Sequence, residues 1–299
     1  MLKGLALTPP ILGRISIGRV VEKNGKRLPE KDDQFTITSQ VHGKDGWLAH
    51  PLNEALRREQ GEKLRSIPVR LLFDDPELNF RADYCFFDRA TGRPLCVGDG
   101  ERCRRSVDGE MKSLPCPSPQ ACPLAKNGAC KPYGRLNVLI GEDDPLGTFI
   151  FRTTGFNSIR TLSTRLRYLQ AISGNRLSCL PLELRLRGKS TRQSMGGAIY
   201  YVDLTLRSDL TLQESLAQMQ KFAESRKMVG FEQAMLENVA KAGLLAGDFE
   251  DSEDEGLEVA EEFYSDGSAA QQIPAARAAL AEKLAMQLNA SGNLDDAAP

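Results

Sequence analysis

Four cysteines crowded into a short stretch, Cys103, Cys116, Cys122 and Cys130 in a C-x12-C-x5-C-x7-C run, constrain this chain more than any other feature. The residues between them are largely Pro, Gly, Ser, Asn and charged types, which build no core but can wrap a metal. Four thiolates complete a tetrahedral zinc shell at about 2.3 Å per bond. Such binding contributes roughly 10–16 kcal/mol in zinc peptides, enough to order a loop without apolar burial. We therefore expect structural zinc. An iron–sulfur cluster on the same four ligands is the alternative, since cysteine-only shells serve both, and free or redox thiols are a third reading. A closed shell leaves no position for water or substrate, so the site reads as a brace and not as a catalyst. Cys85, Cys96 and Cys179 read as small buried hydrophobes, with Cys96 the substitute ligand should Cys103 not bind. Seven cysteines is an odd number, and a chain of 299 residues needs no disulfides to hold its core.

Around this segment the pattern is α+β, a predominantly antiparallel β core with the cysteine loop inserted. RISIGRVV, QFTITSQV and IPVRLLF have the β-rich composition of strands, and YCFFDRATGRPLCVG reads as a hairpin turning near Gly92. After the cysteines, GRLNVLI and GTFIFRTTG continue the strands. Ile159, Leu162, Leu166, Leu169 and Ile172 then recur at spacings of three and four, predicting an amphipathic helix packed on the sheet, capped by Asn157 or Ser158 and ended by Gly174. Alternation of Leu180, Leu182, Leu184 and Leu186, and of Tyr200, Val202, Leu204 and Leu206, predicts two half-buried strands. Thr211 and Glu214 form a capping-box signature for C-terminal helices over about 212 to 245, broken near Gly230. We divide the chain into an α+β core at 1–210 with the zinc loop at 99–135, a helical segment at 211–246, an acidic disordered linker at 247–272, and a short helix and tail at 273–299.

The two signs of charge are segregated although the formal net charge is only −1. Between Arg152 and Arg192 nine bases face one acid, Glu183, whereas Asp248 to Glu262 holds nine acids and no base. Arg160, Arg165, Arg167, Arg185, Arg187, Lys189 and Arg192 avoid the positions expected to be buried and can form one positive surface. Arginine forks bind phosphate in a bidentate way, so DNA, single- or double-stranded, is an expected partner, with an acidic protein surface as the other reading. The acidic tail could cover that surface in cis. No apolar run is long enough to span a bilayer, and we expect a cytoplasmic protein without a membrane partner or small-molecule substrate.

Evidence for catalysis is thin. His42 and His50 flank Trp47 without an acidic partner at recognisable spacing or a nucleophile motif. Gly188 to Thr191, GKST, resembles the end of a phosphate-binding loop, but Glu183 stands where that loop needs glycine, and a strand is predicted afterwards where that loop needs a helix. A metal-dependent hydrolase therefore remains only an alternative.

PLCVGDGERCRR, PCPSPQACPLAKNGACKPYGRLNV and FRTTGFNSIRTLSTRLRYLQAISGNRLSCLPLELRLRGKSTR together resemble the phage recombination directionality factor-like family over residues 10 to 210. Members occur in phages and integrative elements. The resemblance implies a non-enzymatic accessory protein that binds a recombinase or integrase, DNA or both to control excision; other members are labelled hydrolases or metal-binding proteins. A single-strand binding or annealing mediator is the runner-up, because a β-rich fold, basic surface and acidic tail suit that role as well.

Overall fold

The computed structural model describes residues 8–23, 26–43, 46–190, 198–246, 259–260 and 263–264. Its strands are β1 (Ile11–Lys23), β2 (Lys26–Gly43), β3 (Gly46–Ala49), β4 (Ser66–Val69), β5 (Phe80–Phe87), β6 (Pro94–Gly98), β7 (Arg102–Val107), β8 (Glu110–Pro115), β9 (Lys131–Val138), β10 (Thr148–Thr153), β11 (Leu182–Ser190) and β12 (Ala198–Leu206). Helices are α1 (Pro51–Gln60), α2 (Pro76–Asn79), α3 (Ser118–Ala121), α4 (Phe156–Ile172), α5 (Leu212–Met228) and α6 (Gln233–Ala246).

Nine strands form one sheet in the order β3-β2-β1-β10-β9-β5-β6-β7-β8, antiparallel except for the parallel β1–β10 pair. A second sheet, β12-β11-β4, is stitched to it where Arg70 and Leu139 exchange backbone hydrogen bonds of 3.0 and 2.8 Å. The expected α+β class, mainly antiparallel, is the one observed.

One apolar core fills the space between the two sheets and α4, joining Ile37, Leu136, Phe149 and Phe151 to Leu182, Leu184, Val202 and Leu204. From α4 come Ile159, Leu162, Leu166 and Leu169, as their spacing requires, whereas Ile172 is 48% exposed. The expected caps at Asn157 and Ser158 do not form. Gly155 is the N-cap, and the Ser158 hydroxyl instead accepts from the Val202 amide at 3.1 Å, pinning helix to strand. Gly174, at φ +60°, follows the helix in the left-handed region that glycine enters at little cost.

α5 opens with the full capping box: the Thr211 side chain accepts from the Glu214 amide at 3.3 Å, while Glu214 accepts from the Thr211 amide at 2.7 Å. Gly230, at φ +76°, separates it from α6. Helix α1 was not anticipated from sequence; His50 is its N-cap, the imidazole Nδ1 accepting from the Leu52 amide at 3.2 Å. Within the segment expected to be a disordered acidic linker, Val259, Ala260 and Phe263 are buried on the far face of β5 and β9, while most of that segment lies outside the described residues. Two aliphatic and two aromatic residues on one helical turn supply the apolar area that the acidic average conceals. The helix expected at 273–299 lies outside the described residues. Among those described, no helix is long and apolar enough to cross a membrane.

Candidate metal centre and basic groove

The cysteine segment is not an irregular loop at its start. Asp108 and Gly109, both at positive φ (+56° and +83°), turn β7 into β8 in the manner of an Asp-Gly hairpin. That hairpin consumes the long spacer between the first two cysteines. Cys103 pairs with Leu114, and the Cys116 amide bonds to the Glu101 carbonyl at 2.8 Å, returning Cys116 to the base of the hairpin. α3 and a 3-10 turn at Pro123–Gly128 then carry the chain through Cys122 to Cys130, which enters β9.

Five cysteines, not four, meet at this end of the sheet. In the β6–β7 ladder Gly98 lies opposite Cys103, and Cys96 opposite Arg105, so Cys96, Cys103 and Arg105 share one face. Cys96 is thus more than a buried hydrophobe. Burial pushes the Cys103 thiol up to about 11 and the Cys130 thiol to about 12, and the Cys96 sulfur adds to both shifts. Gly98 makes room for the cluster: a Cβ there would lie 2.6 Å from the Cys103 Cβ and 2.7 Å from the Arg102 carbonyl.

Arg105 reaches into the thiols, its Nη2 donating to Cys103 and Cys122 Sγ at 3.9 Å each, while its buried Nε has no hydrogen-bond partner among the described residues. Burial disfavours the Arg105 charge, but the Cys96, Cys103 and Cys122 sulfurs outweigh it and raise its pKa. The donor set suits zinc chemically. The side chains as placed are nevertheless those of thiols gathered about a guanidinium, and among the described residues no group of three His, Cys, Asp or Glu is disposed to hold a metal ion. Cys85, on the other face, and Cys179, in the main core, are buried as expected for small hydrophobes.

The expected basic surface is only partly assembled. Arg165, Arg185 and Arg187 line an open groove of about 410 Å³ between α4 and the β11–β12 pair, together with Arg207 and Tyr168. They are not bare cations. Arg165 donates through Nε and Nη2 to Asp203 at 2.9 and 3.3 Å, and Arg187 through Nε at 2.7 Å. Arg185 pairs with Glu183 at 2.5 Å and Arg207 with Asp209 at 2.6 Å.

Glu183 and Asp203 are both buried under these partners. Burial alone would raise the Asp203 pKa, but hydrogen bonds from Arg165 and Arg187 hold its carboxyl below the ordinary value. Lys189 leaves the groove to donate to Asn157 Oδ1 at 2.7 Å, and Arg160 is exposed on α4. Arg167 faces a different groove, lined by Asp74, Asp75, Glu77 and Glu237. Arg192 lies outside the described residues. Sequence reasoning passed over Arg105, Arg207 and Asp203; a single acid in the YYVDLTL strand opposite a basic strand was the available signal for the last.

Both histidines pack against aromatic rings. His42 packs edge-on against Trp47 at 5.0 Å between centroids, and Arg14 covers the Trp47 ring at 3.9 Å. His50, besides capping α1, packs edge-on against Phe149, and burial lowers its pKa. β11 runs as strand through Ser190, so Gly188, Lys189 and Ser190 lie in a strand and not in a phosphate loop, while Thr191 lies outside the described residues.

No curated protein and no solved structure matches this chain. One family model does, over residues 12–207, a span that holds all five clustered cysteines, α4 and both strands of the arginine groove. The match covers well over half of the sequence, and the chain belongs to the Gp3-like, recombination directionality factor-like family.

Proposed function

We propose that this chain is a non-enzymatic accessory protein of a phage or integrative element that controls excision by binding a recombinase. Family membership supports a role in phage recombination. The observation that carries a protein partner is the α4 groove. Its arginines are already held by carboxylates, beside Tyr168 at 65% exposure and Ile172 at 48%. Fixed arginine forks next to exposed aromatic and aliphatic side chains are the composition of protein-binding hot spots, whereas cations neutralised by internal acids gain less from phosphate.

Four of Cys96, Cys103, Cys116, Cys122 and Cys130 would hold the proposed zinc, with an iron–sulfur cluster the alternative occupant. A thiolate-only shell supplies folding free energy and no reactive position. Held by these cysteines, the metal would fasten the 116–130 segment to the β6–β7–β8 end of the large sheet.

The test is excision in vitro by a serine integrase encoded beside the gene. Added protein should switch the integrase from integration to excision. Tyr168→Ala combined with Ile172→Ala should reduce that effect at least tenfold with an unchanged circular dichroism spectrum. No effect on any recombinase encoded nearby would sink the proposal. Direct binding to single-stranded DNA is the second reading, favoured by Tyr168 standing among arginines as a stacking platform. Strong, salt-dependent and cooperative binding to an oligonucleotide would support that reading instead.

A further inference from the structure

The far face of β5, β6 and β9 carries a small apolar cluster separate from the main core, made by Cys85, Phe87, Tyr133 and Val97. Its cover comes from the acidic C-terminal region. Val259, Ala260, Phe263 and Tyr264 fall on one side of a single helical turn, closed by the Tyr264 amide bonding to the Ala260 carbonyl at 3.0 Å. Phe263 packs edge-on against Phe87 and Tyr133, at 5.0 and 5.8 Å between centroids. The Tyr264 hydroxyl accepts from the Phe87 amide at 3.2 Å and donates towards the Phe87 and Ala129 carbonyls at 2.9 and 3.2 Å. Two cations frame the turn: Arg89 lies over the Tyr264 ring at 3.9 Å, and Lys131 donates to the Phe263 carbonyl at 3.3 Å.

We propose that this groove is a docking site for a short acidic helical segment of a partner protein, and that residues 259–264 are its exchangeable occupant in cis. Three observations converge. The groove is built from residues inside the family-matched span, whereas its occupant lies outside that span. The described residues of this segment are held by the ring contacts of Phe263 and the hydrogen bonds of Tyr264, and an isolated turn of that length would not keep its shape without them. The sequence in and around the turn is acidic, with Glu258, Glu261, Glu262 and Asp266, opposite in sign to the Arg89 and Lys131 of the groove. The partner's segment therefore carries an aliphatic pair and an aromatic pair four residues apart, set among acids. Because Tyr264 also bonds to Ala129, next to Cys130, whatever fills the groove bears on the cysteine cluster.

The probe is a fluorescein-labelled peptide of residues 255–268, measured by fluorescence anisotropy against the full chain and against Phe263→Ala/Tyr264→Ala, whose own turn no longer fills the groove. The double variant should bind it at least tenfold more tightly, because the wild-type segment competes at high effective concentration. Adding Lys131→Glu should weaken binding at least fivefold, and so should replacing the peptide's acids by lysine. A peptide that keeps only the aliphatic and aromatic pairs and the acids should bind like the native one. Equal binding to wild type and double variant, or none to the double variant with its circular dichroism intact, overturns the proposal. So does a wild-type dimer in light scattering that the double variant lacks, since the occupant would then be a second copy.

Discussion

Replacing Asp203 by Asn removes one negative charge from the arginine groove while keeping the side chain's shape, including an oxygen for the Leu204 amide that now bonds to it at 2.9 Å. The carboxylate is 2% exposed and accepts three guanidinium hydrogen bonds, two from Arg165 and one from Arg187. A hydrogen bond to a charged group contributes about 1.5–3 kcal/mol when well buried. Arg165 and Arg187 remain 45% and 40% exposed, so water takes over part of each bond, and about 1 kcal/mol apiece is the better figure. Asn keeps the Oδ1 that takes the Arg165 Nε bond and loses the two bonds made at Oδ2, so Asp203→Asn should cost about 2 kcal/mol, or roughly 4–8 °C in Tm for a folded region of this size. Because the folded pKa is depressed, the contribution is present above the unfolded carboxylate pKa of about 3.9 and is lost as pH falls through the lower folded value. Thermal melts by circular dichroism should show the full penalty at pH 7 and pH 5 and a shrinking one only below about pH 4. A penalty under about 1 kcal/mol at pH 7, or one of equal size at pH 3.5, would refute the assigned network.

The cysteine cluster and the helical segment give three more expectations. Gly98→Ala forces a Cβ against Cys103 and the Arg102 carbonyl, and should cost about 1–3 kcal/mol in urea unfolding and lower the metal content measured by elemental analysis; unchanged stability would mean that β6 and β7 do not approach as described. Protein purified without chelator should contain about one zinc per chain by the same method, and its removal should expose the 116–130 segment to limited proteolysis while the core around α4 persists; metal-free protein with an unchanged cleavage pattern would contradict a bracing role. Thr211→Ala removes a complete capping box from α5 and should cost about 1 kcal/mol, with the loss confined to the protection of α5 amides in hydrogen exchange.

Much of the architecture was legible because its signals are local. The period of α4 and the alternation along β11 and β12 follow from which side chains must leave water, and Thr211 with Glu214 satisfies orphan amides within one turn. The hairpin between Cys103 and Cys116 was legible too, in the Asp108-Gly109 pair, although the neighbouring cysteines drew attention to the loop they suggested. The acidic average of residues 247–272 likewise hid Phe263 and Tyr264, whose burial depends on a groove made by strands far away in sequence.

Taken alone, the sequence determines that this is an α+β chain with a thiol-rich segment and a basic helix–strand unit, since composition and periodicity act between neighbours. Only the tertiary structure decides the rest. Pairing of β6 with β7 brings Cys96 and Arg105 into the thiol cluster, and packing of α4 across β12 turns Asp203 from a solvated acid into the buried anchor of two arginines. Those outcomes depend on distances between segments many residues apart, and the free energy of a charge or a thiol is set by what surrounds it in space.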